Sequence, residues 1–476
     1  MPEESVEKRL LQWFGDMTVF KSELQTVFTT RNLPSFIRDW FLKRYSDSNG
    51  NVDSDLLLKQ INAIIPPSSN WPALLDKLMS GEQVKILAKV RVNMDVKTSI
   101  ISFALVDYGV DFKETIIPTM VWKKCKSALL CPDGDVWGVA TLSYQEFNNG
   151  EHKIVLDCFN EFRPYKIDLD YYCQCRKYFS FDEWIDILLG AMDYNPAGYE
   201  SRKEKFYTLY RLIPFVEKRV NLIELAPKGT GKSYVFSNIS KRGWLSSGGV
   251  MTRAKMFYDM AKKQHGLVSY YDYVALDEVA TIRFPDVAEM QGALKGYLET
   301  GKYTVGNKDG SGDAGIVLLG NIPVEDMDVN HNMVKNINSV LSDSALLDRF
   351  HGFIKGWKIP RMREAMKMNG TALNTEYFAE ILHAFREDVK PAELVEQVLK
   401  VPDDADTRDT TAVKRIATAL VKLLFPGWRT LQSFNKVLFE EYCLKPAMEM
   451  RAIIRTQMAL IDSEYKNKPL PEFTVK

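Results

Sequence analysis

A chain of 476 residues, 46% hydrophobic and 26% charged, has the composition of an ordinary globular protein with room for about three domains. Its 62 Lys+Arg are matched by 62 Asp+Glu, so no overall positive field recruits nucleic acid and any such contact needs a local basic patch or the inner surface of a ring. No uninterrupted run of about eighteen apolar residues occurs, which excludes a membrane-spanning helix, and Met1-Pro-Glu-Glu-Ser leads into no apolar signal stretch, so the expected location is the cytoplasm with no membrane partner.

From Ser5 to about Met79 the periodicity is helical, with Leu10, Trp13, Phe14 and Met17 on one face and Phe36, Trp40, Phe41 and Tyr45 on another. Residues 1–80 are accordingly expected to form an N-terminal helical domain. From Glu82 to about Phe162 the period becomes two: Val84, Ile86, Ala88, Val90 and Val92 alternate with Lys85, Leu87, Lys89 and Arg91. Residues 81–165 therefore read as a small β domain. The basic face carrying Lys85, Lys89 and Arg91 suits an oligonucleotide-binding barrel, and a solvated outer face gives the same pattern.

Ser180-Phe-Asp-Glu183 is a capping box that opens a helix carrying Trp184, Ile187 and Leu188, within a helical linker spanning 166–205. Beyond it, Leu222, Ile223 and Leu225 form a strand-like run that ends in Ala226, Pro227, Lys228, Gly229, Thr230, Gly231, Lys232 and Ser233. Strand, Gly-rich loop and helix in that order make a phosphate loop for ATP or GTP. Its backbone N–H groups wrap the α- and β-phosphates, Lys232 reaches the β/γ oxygens and the Ser233 hydroxyl ligates Mg²⁺. The usual first glycine of the motif is Ala226 here, while Gly229 and Gly231 keep the backbone freedom the loop needs.

Tyr271 to Leu276 is an aromatic and β-branched run ending in Asp277-Glu278. Adjacent acids at a strand's carboxyl end divide the work: Asp277 serves Mg²⁺ through a water, and Glu278 polarises the attacking water. Gly315 to Gly320 forms a third buried run and ends at Asn321, a polar side chain suited to sensing the γ-phosphate. Arg349, in Ala345-Leu-Leu-Asp-Arg-Phe350, is a candidate arginine finger acting on a neighbouring subunit's nucleotide, which requires a closed ring. The core is expected over 206–358, followed by a helical C-terminal lid over 359–476 that contains Leu420, Leu423 and Leu424. The six cysteines (Cys125, Cys131, Cys158, Cys173, Cys175 and Cys443) fit a reducing compartment, and Cys173-Gln-Cys175 lacks the second pair a structural zinc needs.

The motifs in order resemble those of the AAA+ class. Arg211-Leu-Ile-Pro-Phe-Val-Glu217, the stretch from Glu224 to Ser233, Ser247-Gly-Gly249, Ala275-Leu-Asp-Glu-Val-Ala280, Leu298-Glu-Thr-Gly301 and Leu319-Gly-Asn321 resemble the BrxL family, the Lon-related AAA+ component of BREX phage-defence systems. That resemblance implies an ATPase assembling as a hexamer, with hexamers stacked in pairs in one arrangement, engaging double-stranded DNA alongside other BREX proteins. It brings a likeness to minichromosome maintenance helicases, in which Lys302-Tyr-Thr-Val-Gly-Asn-Lys308 falls where a hairpin enters the central channel. Lys302 and Lys308 thereby become candidates for DNA phosphate contact, and a solvated loop tip fits them too. Thr407-Arg408 resembles the sensor-2 helix of those helicases and implies a γ-phosphate contact from Arg408.

Family members usually carry a Lon-like proteolytic domain after the stretch resembling Lys445-Pro-Ala-Met-Glu-Met-Arg451, whereas this sequence ends soon after it, so no peptidase activity is expected. The same motifs would also serve an ATP-gated clamp with little turnover, or a Lon-type protein unfoldase. Lys308 and the basic strand around Lys89 favour DNA over polypeptide.

Overall fold

Leu222–Ala226 and Tyr273–Asp277 are strands buried along their whole length, and Gly315–Asn321 is buried up to Asn321. Side chains apolar on both faces suit only a parallel sheet covered on each side. With Gly352–Lys355 and Gly243–Ser247 they form one five-stranded sheet. The order is 352–355, 222–226, 315–321, 273–277, 243–247, with every neighbouring pair parallel. A strand thus lies between the phosphate-loop strand and the acidic strand, which brings Ala226 beside Asn321.

The computed structural model describes residues 5–21, 33–47, 52–95, 97–129, 135–147 and 150–476. Met1-Pro-Glu-Glu and Cys131 lie outside them. The chain divides into two units. The larger holds the described residues up to Lys21, then Pro34–Asp39 and Ile167–Lys476, and the smaller runs through Trp40–Lys166. The first eighty residues, expected as one helical domain, are therefore shared between the units.

In the larger unit, Ile223, Leu225, Val274, Leu276, Ile316 and Leu318 pack with Leu294, Tyr297 and Leu298 of the helix Val287–Thr300. Each such side chain contributes about 1.5–3 kcal/mol on burial. Asp286 caps that helix by accepting from the Glu289 N–H at 3.1 Å, and Gly301, at φ +74°, ends it. Helices Thr375–Phe385, Lys390–Val398, Thr407–Leu424 and Lys445–Ile461 follow the sheet. The Ser180–Glu183 capping box is present, its two bonds measuring 3.3 and 2.8 Å.

One pairing has no local signal in the sequence. Thr18–Lys21 is a strand antiparallel to Gly370–Leu373. The Lys21 ammonium then sits 2.7 Å from Asp193 Oδ1 and donates to Thr375 Oγ1 at 2.9 Å. Arg38 lies 2.6 Å from the same carboxylate, and the Tyr234 hydroxyl donates to it at 2.6 Å. Tyr234 directly follows Ser233, so this buried cluster backs the phosphate-loop helix.

The smaller unit is a five-stranded sheet in the order 100–105, 84–95, 135–146, 152–161, 115–116. Its pairs are antiparallel except the last, which is parallel. The helix Thr119–Leu129 connects the 115–116 strand to the 135–146 strand. Ile86, Ala88, Val90, Phe103, Leu105, Leu142 and Leu156 fill its core with Leu78 of the helix Trp71–Met79. Leu87, which alternates with the basic residues, is buried, whereas Lys85 beside it on the same face is exposed, so that face is covered only at Leu87.

Candidate nucleotide site

The loop from Pro227 to Gly231 turns the chain from a buried strand into the helix Lys232–Asn238. Gly229 and Gly231 adopt φ +83° and +75°, the left-handed region where side chains with a Cβ are strained. A Cβ placed on Gly229 would meet nothing within 4 Å, so the loop's outer side is open. Ala226 is fully buried. The loop is held from behind at several points: Arg211 donates to Thr230 O at 2.8 Å, Met362 N–H to Gly229 O at 2.8 Å, and the Tyr194 hydroxyl to Gly231 O at 3.4 Å.

Lys232 donates to Asn321 Oδ1 at 2.7 Å. The Ser233 hydroxyl donates to Asp277 Oδ2, and the other Asp277 oxygen accepts the Glu278 N–H at 2.8 Å. Three adjacent strands and one loop thus bring together Lys232, Ser233, Asp277 and Asn321. Burial pulls the Lys232 ammonium below its ordinary value, with the Asp277 and Glu224 carboxylates opposing it. Glu278 is exposed and has φ +51°, a conformation rare for a residue with a Cβ and concentrated at functional sites. A hydroxyl beside a carboxylate at the end of the loop is an oxygen donor set of the kind that hydrated Mg²⁺ takes.

Arg349 and Arg408 are brought to each other rather than to Lys232. Arg408 donates to Asp348 Oδ2 at 2.6 Å and to Glu299 Oε2 at 2.8 Å. Arg349 Nε lies 2.8 Å from the same Glu299 oxygen, and its Nη1 donates to Ala345 O. Below them Arg451, fully buried, bonds Asp348 Oδ1 at 2.7 Å, Phe350 O at 2.8 Å and Asp409 at 2.6 Å. The turn presenting Arg349 is thereby fixed from inside.

Lys302 and Lys308 sit exposed on a hairpin that pairs Lys302–Val305 with Lys308–Ser311. Tyr303 is buried and anchors it, its hydroxyl within 2.9 Å of His265 Nδ1 and 3.0 Å of Ser269 Oγ. On the smaller unit's strand Lys85 is exposed, Lys89 lies over the Trp137 ring at 5.3 Å and 3.8 Å from Asp107, and Arg91 bonds Asp135 at 2.6 and 3.0 Å. Two of these three cations already face carboxylates.

Sequence reading missed the Arg211–Glu224 pair, both fully buried and joined at 2.6 Å. The signal was available: Glu224 interrupts an otherwise apolar strand, and a charge buried there requires a partner.

A family model described as "Lon-like protease BrxL-like, ATPase domain" matches residues 154–470, and one described as "BREX system Lon protease-like protein BrxL N-terminal" matches residues 12–144. The chain belongs to the BrxL family. It is 31% identical over 457 residues to the Lon-like protease BrxL of Escherichia coli O9:H4 (strain HS), covering 94% of this chain and 64% of that one. It is 28% identical over 434 residues to the Lon-like protease BrxL of Bacillus cereus (strain H3081.97), covering 89% and 63%. The chain therefore spans less than two thirds of the length of these BrxL relatives. The candidate site described above lies wholly within the BrxL ATPase-domain match. Among the described residues no helix is long and apolar enough to cross a membrane, and no group of three or more His, Cys, Asp and Glu is placed to hold a metal. The five described cysteines are free thiols.

Proposed function

We propose that this chain hydrolyses ATP at the interfaces of a ring of identical subunits and uses the cycle to bind and translocate on double-stranded DNA in a BREX-type defence system. The observation that carries the reading is the separation of roles within one chain. Lys232, Ser233, Asp277 and Asn321 converge on the loop, with Glu278 next to Asp277, while Arg349, the candidate finger, and Arg408, the candidate γ-phosphate contact, are bound to Glu299. A second copy supplying Arg349 and Arg408 completes the pocket, with a hexamer as the expected ring and stacked hexamers as its higher form.

Ser233 and Asp277 would hold Mg²⁺, which neutralises developing charge on the β- and γ-phosphate oxygens. The loop N–H groups and Lys232 orient the triphosphate. Glu278 accepts a proton from water as the water oxygen bonds to the γ-phosphorus and the bond to the β-bridging oxygen breaks, leaving ADP and phosphate. Asn321 positions the water and the γ-phosphate, and Arg349 of the adjoining copy stabilises the equatorial oxygens.

The smaller unit's strand order, with the strand before the helix paired parallel to the last strand, supports an oligonucleotide-binding-barrel reading. The helices from Thr375 onward support a lid. The exposed Lys302 and Lys308 hairpin supports DNA contact within a channel, with Lys85 as a further contact. The test is hydrolysis with and without duplex DNA. Lys232→Ala abolishes nucleotide binding, and Glu278→Gln binds ATP without turning it over. Wild-type turnover in Glu278→Gln sinks the base assignment. DNA retention without stimulated turnover favours the clamp.

A further inference from the structure

We propose that Glu299 is a positioning residue: its carboxylate holds Arg349 and Arg408 together in an open subunit interface and releases them when an adjoining subunit's triphosphate arrives. The inference rests on the trans reading of the two arginines given above. Three features of the site carry it.

Glu299 occupies the last turn of the helix Val287–Thr300, the negative end of the helix dipole, where a carboxylate is disfavoured unless cations face it. Two guanidiniums do: Arg349 Nε at 2.8 Å and Arg408 Nη2 at 2.8 Å, both on Oε2. One anionic oxygen thus faces both cations, the part a phosphate oxygen can take over.

The partners of Arg408 differ in how firmly they are held. Asp348 is 4% exposed and is also gripped by Arg451, whereas Glu299 is 36% exposed. Glu299 takes Arg408 through both Nε, at 3.1 Å, and Nη2, at 2.8 Å, but water reaches this pair and screens it, so it can exchange where the Asp348 pair cannot. Asp348 is the fixed pivot and Glu299 the replaceable partner.

Arg349 is not saturated. Its buried Nε lies near the Glu299 oxygen but lacks the alignment of a hydrogen bond, so a directional donor remains unspent. A phosphate oxygen in its path gains a charge-assisted bond without breaking a good one.

Competition between Glu299 and triphosphate has a kinetic signature. Glu299→Gln in the full chain lowers KM for ATP, and the ATP concentration at which rings assemble, each about threefold with kcat little changed, the size expected for loss of an exposed ion pair. Glu299→Asp, which keeps the charge, restores both toward wild type. Steady-state hydrolysis, sedimentation across an ATP series and a thermal melt read these out. Glu299→Ala is the second variant should Glu299→Gln melt early. Unchanged KM and assembly in a folded variant overturns the proposal, and so does unfolding of both, which would make the carboxylate a structural staple. Arg349→Ala separates the two levels. Wild-type kcat in that variant defeats the trans reading itself, whereas a fall in kcat beside an inert Glu299→Gln defeats only the role of Glu299.

Discussion

Gly356 packs against Ala226 so closely that a Cβ on Gly356 would stand 2.5 Å from the Ala226 Cβ and 2.6 Å from Leu225 O. The alanine that replaces the motif's usual first glycine is thus accommodated by a glycine from the segment after the neighbouring strand. Gly356→Ala pushes directly on the entry to the phosphate loop. It is expected to cost about 1–3 kcal/mol of stability, the range for overpacking, and to weaken nucleotide binding, while Ala226→Gly leaves the loop intact. A thermal melt and a nucleotide titration check both, and a Gly356→Ala protein with wild-type melting and affinity refutes the contact.

The parts of this site that were legible in the sequence are those set by local chemistry. Buried runs ending at Ala226, Asp277 and Asn321 announce parallel strands, and their polar termini mark where the strands deliver side chains. Gly229 and Gly231 show their backbone role directly. What was hidden depends on pairings distant along the chain. Thr18–Lys21 joins Gly370–Leu373, and nothing within a short window encodes that. The same holds for Arg408: the helix start was visible, but its partners Glu299 and Asp348 come from two other segments.

Arg211 and Glu224 form a buried ion pair whose arginine also reaches Thr230 O of the loop. Removing one partner leaves a charge in the interior, so Arg211→Met should cost about 3–5 kcal/mol, whereas replacing both residues with apolar ones of similar volume costs much less. Chemical denaturation of the single and double variants measures the difference. Nucleotide affinity should fall in the double variant even where stability recovers, because Thr230 O has lost its donor.

Asp193 gives the protein an acid-sensitive element. Burial favours its neutral form, but Arg38 and Lys21 outweigh burial and hold the carboxyl well below its ordinary value of 3.8. A depressed carboxylate stabilises the fold fully above the unfolded pKa and loses that contribution as pH falls toward the folded one. Stability should therefore decline below about pH 4, and the part owed to this group disappears in Asp193→Asn. Denaturant midpoints measured from pH 7 downward test it; an equal acid slope in both proteins removes Asp193 as the cause.

Asn321 and Lys232 offer the cleanest division between binding and chemistry. Their bond at 2.7 Å ties the Lys232 ammonium to the strand end at Asn321, yet the loop itself is held independently by Arg211, Met362 and Tyr194. Ground-state affinity draws mainly on the loop and on Lys232, both retained in Asn321→Ala. If Asn321 acts on the γ-phosphate as proposed above, that variant loses a term worth about 10²–10³ in kcat, the size found for a single oriented polar group. ATP dissociation constants should hold within about threefold, and chelating Mg²⁺ should stop hydrolysis in both proteins. Single-turnover hydrolysis alongside equilibrium nucleotide binding separates the two quantities. A variant that loses affinity and rate in equal proportion would mean Asn321 acts by orienting Lys232 for binding, not on the transition state.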